Sequence, residues 1–332
     1  MCRQLRAVGD ALAWRASGND RRYVLALSNN PPAGPMASKD GLGHEIGAVV
    51  EMRAQGNFGL LHDLTNCLRI ADITQFSGNG KLLYEIKKNP KAKRGPQLRR
   101  MSAAIEAVMN GGELPGIPGS AFVQPTAICR THVGTLRTTI ADAQQHGLAA
   151  RALPGRRALI VLSSPGLGRS VTTLGPADWV SKRAAALQSA GLLQATHHIS
   201  LNSAVRNRDH VPSVVPFALY PLPSAQCALL ICDYIVFEVV IDPQSLVGAL
   251  ARHGIAAEAP LALASTALSA GDTVLSMRKG SRGMTLSPGG LYELLMEFYD
   301  VGTWAAAVAE ILEALESPRH PVAVFATTRV WR

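Results

Sequence analysis

The stretch "RIADITQFSGNGKLLYEIKKNPKAKRGPQLRRM", residues 69–101, decides how the first half of this chain is read. Two runs, "IADITQF" and "KLLYEIKK", alternate in polarity on either side of Ser-Gly-Asn-Gly, the pattern of two strands joined by a tight turn. Opposed residues of an antiparallel pair share a face, and so do alternate residues along each strand. If Ser77 to Gly80 is a four-residue loop, Phe76 opposes Lys81 and Asp72 opposes Glu85. If Asn79-Gly80 forms a two-residue turn, Asp72 opposes Lys87 instead. Either alignment puts Asp72, Glu85 and Lys87 on one face and Ala71, Ile73, Leu82, Tyr84 and Ile86 on the other.

Like charges placed directly opposite each other repel, so an Asp72–Glu85 pair invites a cation between them. Two carboxylates plus the carbonyl of Ile86 suit Mg²⁺, a hard ion that takes few carboxylates and keeps several waters. The plainer reading is an exposed face on which Lys87 neutralises two acids, worth ~0–1 kcal/mol. Against it, Ile70, Phe76 and Leu83 share that face. Net charge is +9 over the whole chain. Much of it is local, because Lys81, Lys87, Lys88, Lys91, Lys93, Arg94, Arg99 and Arg100 face only Glu85 between residues 81 and 100. A basic run beside carboxylates points to a phosphate-bearing partner, bound in a salt-dependent way.

Working outward, a helix is expected from Ser38 through Arg53, with Leu42, Ile46, Val49 and Met52 on one face and Glu45 among them. After the basic run, "GPQLRRMSAAIEAVMNGG" reads as a helix with Pro96 in its first turn, Gly111 past its end and a stripe of Leu98, Met101, Ile105 and Val108. Asp63 in "LLHDLTN" caps a turn or approaches the cation. His62, His197, His198 and His210 lack the spacing of a metal site and read as structural.

These motifs resemble the PD-(D/E)xK superfamily of restriction-endonuclease-like nucleases. "IADITQF" and "YEIKK" match its strand motifs, with Ala71 where the family's name has Pro. The resemblance covers residues 38 to 125 at most. It implies a mixed central sheet flanked by helices, and Asp72, Glu85 and Lys87 as the catalytic trio. Asp72 and Glu85 would hold Mg²⁺, with Mn²⁺ able to substitute, and Lys87 would activate water and steady the phosphate. Glu45 resembles the acidic residue that many members carry on the preceding helix, and Gln97, near Arg100, resembles a glutamine motif of several branches. The implied activity is metal-dependent hydrolysis of phosphodiester bonds in DNA, with RNA as the other possible substrate. Lys88, Lys91, Lys93, Arg94, Arg99 and Arg100 would bind the nucleic acid.

At 332 residues two domains are expected. The reading divides them into a lead-in over 1–36, a nuclease-like domain over 37–168, and a C-terminal α/β domain of unassigned role over 169–332. Composition is globular, 47% hydrophobic and 17% charged. Five scattered cysteines without CxxC pairs argue against a disulfide framework and for a reducing cytoplasm, where they read as small core residues. The longest apolar run, "ALLICDYIVFEVVI", is interrupted by Asp233 and reads as buried strand, not a membrane span. Three functions follow. The first is an Mg²⁺-dependent endonuclease, by fold-level analogy the effector of an antiviral defence system acting as a homodimer or with a defence partner. The second is a non-catalytic nucleic-acid-binding module. The third makes the C-terminal half the working part, as a sensor or assembly domain.

Overall fold

α1 (Cys2–Ala16) and α2 (Arg21–Ser28) open the chain, α2 being capped by Asp20, whose side chain accepts from the Arg22 amide. The structure is a computed structural model that describes residues 2–30, 39, 41–78, 80–86, 95–111, 113–164, 176–193, 198–203, 214–259, 273–315 and 322–325. Across these residues it is mixed α/β and divides into two units, Met1–Gln124 with Arg319–Val330, and Pro125–Pro318. Within the expected lead-in, residues 2–30 contribute to the first unit's core. Trp14, Val24 and Ala26 are fully buried, and Asp10 accepts from the backbone amides of Asn66 and Cys67 and from Asn66 Nδ2. That clamp fixes the loop before the hairpin.

α3 (Leu42–Ala54) leads into β1 (Phe58–Leu61), a 3₁₀ turn at His62–Leu64, β2 (Ile73–Ser77) and β3 (Gly80–Tyr84). The expected cap, Ser38, lies outside the described residues. The three strands form an antiparallel meander in the order β1-β2-β3. Ile73 pairs with Tyr84, Phe76 with Lys81 and Ser77 with Gly80, which selects the first of the two alignments and leaves only residues 78 and 79 between the last pair. Gly80 takes φ 134°, a value open to glycine and strained for other residues. Ile73, Leu61 and Met52 form a buried cluster joined by Val49, Tyr84 and Ile86, so α3 covers this face. Gly59 permits the close contact, since a Cβ there would sit 3.0 Å from Met52 Sδ.

The opposite face is covered as well. Thr74 is fully buried and accepts from the Tyr23 hydroxyl at 3.2 Å, while Phe76 lies between the rings of Tyr23 and Phe58. The sheet is therefore sandwiched between α3 and α2, and its charged groups gather where β2 begins rather than across an open face. The expected apolar face also loses Leu82, which is 54% exposed near the turn.

α4 (Gly95–Asn110) packs against α2. It buries Met101, Ala104 and Ala107, not the expected full stripe, and Leu98 and Ile105 stay exposed because small alanines make the closer contact. β4 (Ser120–Val123) does not join the meander. Its partner is β12 (Val322–Phe325), in parallel register. Among the described residues this unit thus has an all-antiparallel sheet and a separate parallel pair, where the family resemblance implied one mixed sheet.

The second unit is built on α5 (Val133–His146), β5 (Leu148–Leu153), β6 (Arg157–Ser163), α6 (Pro176–Ser189), β7 (Ile199–Asn202), α7 (Ser224–Ile231) and β8 (Ile235–Ile241). Its sheet runs β5-β6-β8-β7, all antiparallel, with α6 packed over Leu148, Ala158, Ile160 and Val240. β6, grouped by the sequence reading with the first domain, pairs along its length with β8. α8 (Pro243–Ala251), β9 (Ala256–Glu258), β10 (Leu275–Lys279), β11 (Arg282–Leu286), α9 (Pro288–Met296) and α10 (Val301–Ala314) follow. The apolar run 228–241 is half helix and half strand. Asp233, at φ 57°, breaks it between α7 and β8. Apolarity alone does not separate a buried helix from a buried strand. "VVPFALYP", residues 214–221, contains a 3₁₀ turn at Phe217–Leu219. Among the described residues no helix is long and apolar enough to cross a membrane.

Candidate functional site

Glu45 projects from the first turn of α3 on the side that packs Val49 and Met52 against the sheet, so the helix carries a carboxylate into the end of its own packing face. Asp63 comes from the 3₁₀ turn after β1, and Asp72 from the residue before β2. The ladder extends one step past the strands to hold both: the His62 amide donates to the Asp72 carbonyl and the Asp72 amide to the Tyr84 carbonyl, each at 2.9 Å. Tyr84 is already paired with Ile73, so the regular register ends there and Asp72 sits on an irregular step beyond it.

All three acids meet at a residue the sequence reading did not single out. Lys39 Nζ lies 2.8 Å from Glu45 Oε1, 2.9 Å from Asp63 Oδ2 and 3.7 Å from Asp72 Oδ1. The other Asp72 oxygen, Oδ2, accepts from the Ile86 amide at 2.8 Å, which fixes the carboxylate's orientation. It is thus the amide of Ile86 that touches Asp72. One oxygen of Glu85, Oε2, is out of reach of solvent. Lys87, with Lys88, Lys91, Lys93 and Arg94, lies outside the described residues. Arg99 and Arg100 are exposed on α4, where Arg100 donates to Asn30 Oδ1 at 3.0 Å. Gln97 is half-buried, and among the described residues no hydrogen bond joins it to the acids.

Electrostatics follow from burial. Glu45 is 2% exposed, and desolvation pushes its carboxyl above the usual range, with Asp72 and Asp63 adding to the rise and Lys39 opposing it. Burial works against the charge of Lys39, yet hydrogen bonds to Glu45 and Asp63 and the charge of both hold its ammonium above the ordinary lysine range. His62 is fully buried with Nε2 2.7 Å from Thr74 Oγ1. Burial, with help from the charge of Lys39, pushes it down to about 3, so its ring is neutral. Among the thiols, Cys67 and Cys227 are core residues as expected, but Cys232 is exposed.

Ala71 takes φ 84°. A proline ring locks φ near −65°, so the residue that gives the superfamily its name could not stand here without rebuilding the turn into β2.

Whether these residues fit a divalent ion depends on their spacing. Mg²⁺ takes oxygens at about 2.0–2.1 Å in near-octahedral geometry. The acids here surround an ammonium at hydrogen-bond distance, and among the described residues no group of three or more His, Cys, Asp or Glu side chains is arranged to hold a metal ion. In this arrangement the carboxylates fit Lys39 rather than a metal. The sequence signal for Lys39 is slight: a lysine just before the helix that carries Glu45, after a Pro/Gly-rich connector.

No protein-family model, curated protein or solved structure matches this chain.

Proposed function

We propose that the first unit is a nuclease module that hydrolyses phosphodiester bonds of DNA. The observation that carries the reading is the convergence of Glu45, Asp63 and Asp72, from a helix, a turn and the residue before β2, beside the last paired residues of the hairpin, Ile73 and Tyr84. Three acids at one strand end cost stability unless they serve something, and perturbed acids cluster at functional sites. The order of α3, the hairpin and α4 supports it too, with exposed Arg99 and Arg100 next to the basic run as phosphate contacts. Within the reading, the Ile86 amide orients Asp72, Lys87 steadies the phosphate, and Mg²⁺ or Mn²⁺ is the ion that the family resemblance implies. A cytoplasmic role as an antiviral effector, working as a homodimer, belongs to the same reading by analogy.

The test is cleavage of duplex and single-stranded DNA with and without Mg²⁺. Glu85→Ala and Lys87→Ala are each expected to lower the rate roughly 10²-fold or more, with folding intact. Lys88→Ala, one residue along, is expected to keep its turnover. Cleavage in the presence of a chelator, or at the wild-type rate in Glu85→Ala, would reject the assignment. A second reading, a nucleic-acid-binding module that does not cut, is favoured by one observation: the acids are already neutralised in part by Lys39. It predicts salt-dependent DNA retention with no product at any divalent concentration.

A further inference from the structure

Two arginines of the first unit are held differently from Arg156 and Arg183 of the second, which pair with carboxylates. Arg69, in the loop before β2, donates from Nε to the Asn66 carbonyl at 2.7 Å and from Nη1 to the Asn30 carbonyl at 3.2 Å. Asn30 answers with its side chain. Its Nδ2 donates to the Arg69 carbonyl at 2.8 Å, and its Oδ1 accepts from Arg100 Nη1 at 3.0 Å. One asparagine therefore holds two guanidiniums against itself, one from the loop and one from α4. Its place is fixed by the packing of α4 on α2 and by its neighbour Asn29, whose Nδ2 donates to the Pro115 carbonyl.

These acceptors are all neutral. Among the described residues neither Arg69 nor Arg100 forms an ion pair with a carboxylate. Burial works against the charge of Arg69; Asp10 opposes that effect and Arg6 adds to it. Asp10 is already engaged, because its oxygens accept from the amides of Asn66 and Cys67 and from Asn66 Nδ2. Two like charges locked side by side without a counter-charge repel each other, so this elbow of the fold is prepared for an anion. Arg100 is exposed and Arg69 half-buried, which leaves both guanidiniums within reach from solvent. A guanidinium fork matches the oxygens of a phosphate.

We infer that Arg69 and Arg100, clamped by Asn30, bind one phosphate of a nucleic-acid backbone between them. The contact fixes position and carries no sequence information. The inference rests on the nucleic-acid partner that both readings of the first unit share, and it requires no turnover.

The first experiment is fluorescence anisotropy of the full chain with a labelled DNA duplex, in chelator, over a series of salt concentrations. Arg69→Gln and Arg100→Gln are each expected to weaken binding roughly ten-fold and to flatten the dependence of log affinity on log salt by about 1. The double variant should lose little more than either alone, because the two side chains share one phosphate. The control is Arg278→Gln, which removes the same charge from an exposed position on β10 and should stay within about two-fold of wild type. Unchanged salt slopes, fully additive losses, or an equal loss at Arg278→Gln each overturn the clamp. The second experiment needs no variant. Wild-type protein is treated with phenylglyoxal and the modified arginines are mapped by mass spectrometry. Duplex DNA is expected to protect Arg69 and Arg100 and leave Arg278 reactive, and a lack of protection at the pair overturns the inference even if the variants fail to fold. Salt-dependent binding that the variants do not alter would reject the clamp and leave the nucleic-acid reading standing. Wild-type protein that binds no DNA would reject that reading and the clamp with it. The expected losses in a protein that cuts nothing would keep the clamp and reject the nuclease.

Discussion

Acids are used differently in the two units. In the second, Glu238, Asp242 and Asp300 are each matched. Glu238, on the central strand β8, accepts from Arg183 through both oxygens, at 3.0 and 2.7 Å, and from the Ser200 hydroxyl at 2.6 Å. Asp242 caps α8 and pairs with Arg156 at 2.8 Å, and Asp300 caps α10 and meets His132. Burial opposes the charge of Glu238, yet the bonds from Arg183 and Ser200 bring its carboxyl below the usual range. Glu45 in the first unit moves the opposite way, because burial and two neighbouring acids outweigh one shared lysine. A matched acid is part of the architecture. A surplus of acid at a strand end costs stability, and that cost is what marks the first unit as the place to look for function.

The comparison can be broken by substitution. The largest expected effect is at the matched pair: Arg183→Ala leaves Glu238 with its charge and only the Ser200 hydroxyl to bond it, and should cost about 3 kcal/mol in urea denaturation. A cost under about 1 kcal/mol would mean that this pair is a solvated surface contact and that the contrast is empty.

Replacing the acids themselves sharpens the point. Glu238→Gln should lose about 2 kcal/mol, since it weakens charge-assisted bonds at a site built for a carboxylate. Glu45→Gln should stay within about 0.5 kcal/mol of wild type or gain slightly, because it removes a buried charge that two neighbouring acids repel. Equal losses at the two positions would show that the first unit holds no acid surplus in solution.

The smallest effect is in the backbone. Ala71 and Asp233 both take positive φ, at 84° and 57°. Aspartate tolerates that region better than alanine, so Ala71→Gly should stabilise by about 1 kcal/mol and Asp233→Gly by only a few tenths. Thermal melts of the two variants would check it, and a destabilising Ala71→Gly would place the strain elsewhere.

The sequence by itself determined a good deal. Period-two alternation around a glycine-rich turn specified the hairpin, because a slip by one residue would turn Ile73 out of the core. Helical spacing with Pro96 and Gly111 bracketed α4, and Glu45 within an apolar stripe announced a carboxylate carried into packing contact. The choice between the two hairpin alignments was left to the structure, which pairs Ile73 with Tyr84 and Phe76 with Lys81. Tertiary structure alone also revealed that α2 closes the second face of the sheet, that β4 pairs with a strand some two hundred residues away, and that Lys39 stands among the acids. The reason is the range of the interactions. Alternation, caps and turns act between neighbours in the chain and leave a local record. The pairing of β4 with β12 and the gathering of Lys39, Glu45, Asp63 and Asp72 depend on how separate elements meet in space, and no local pattern encodes that.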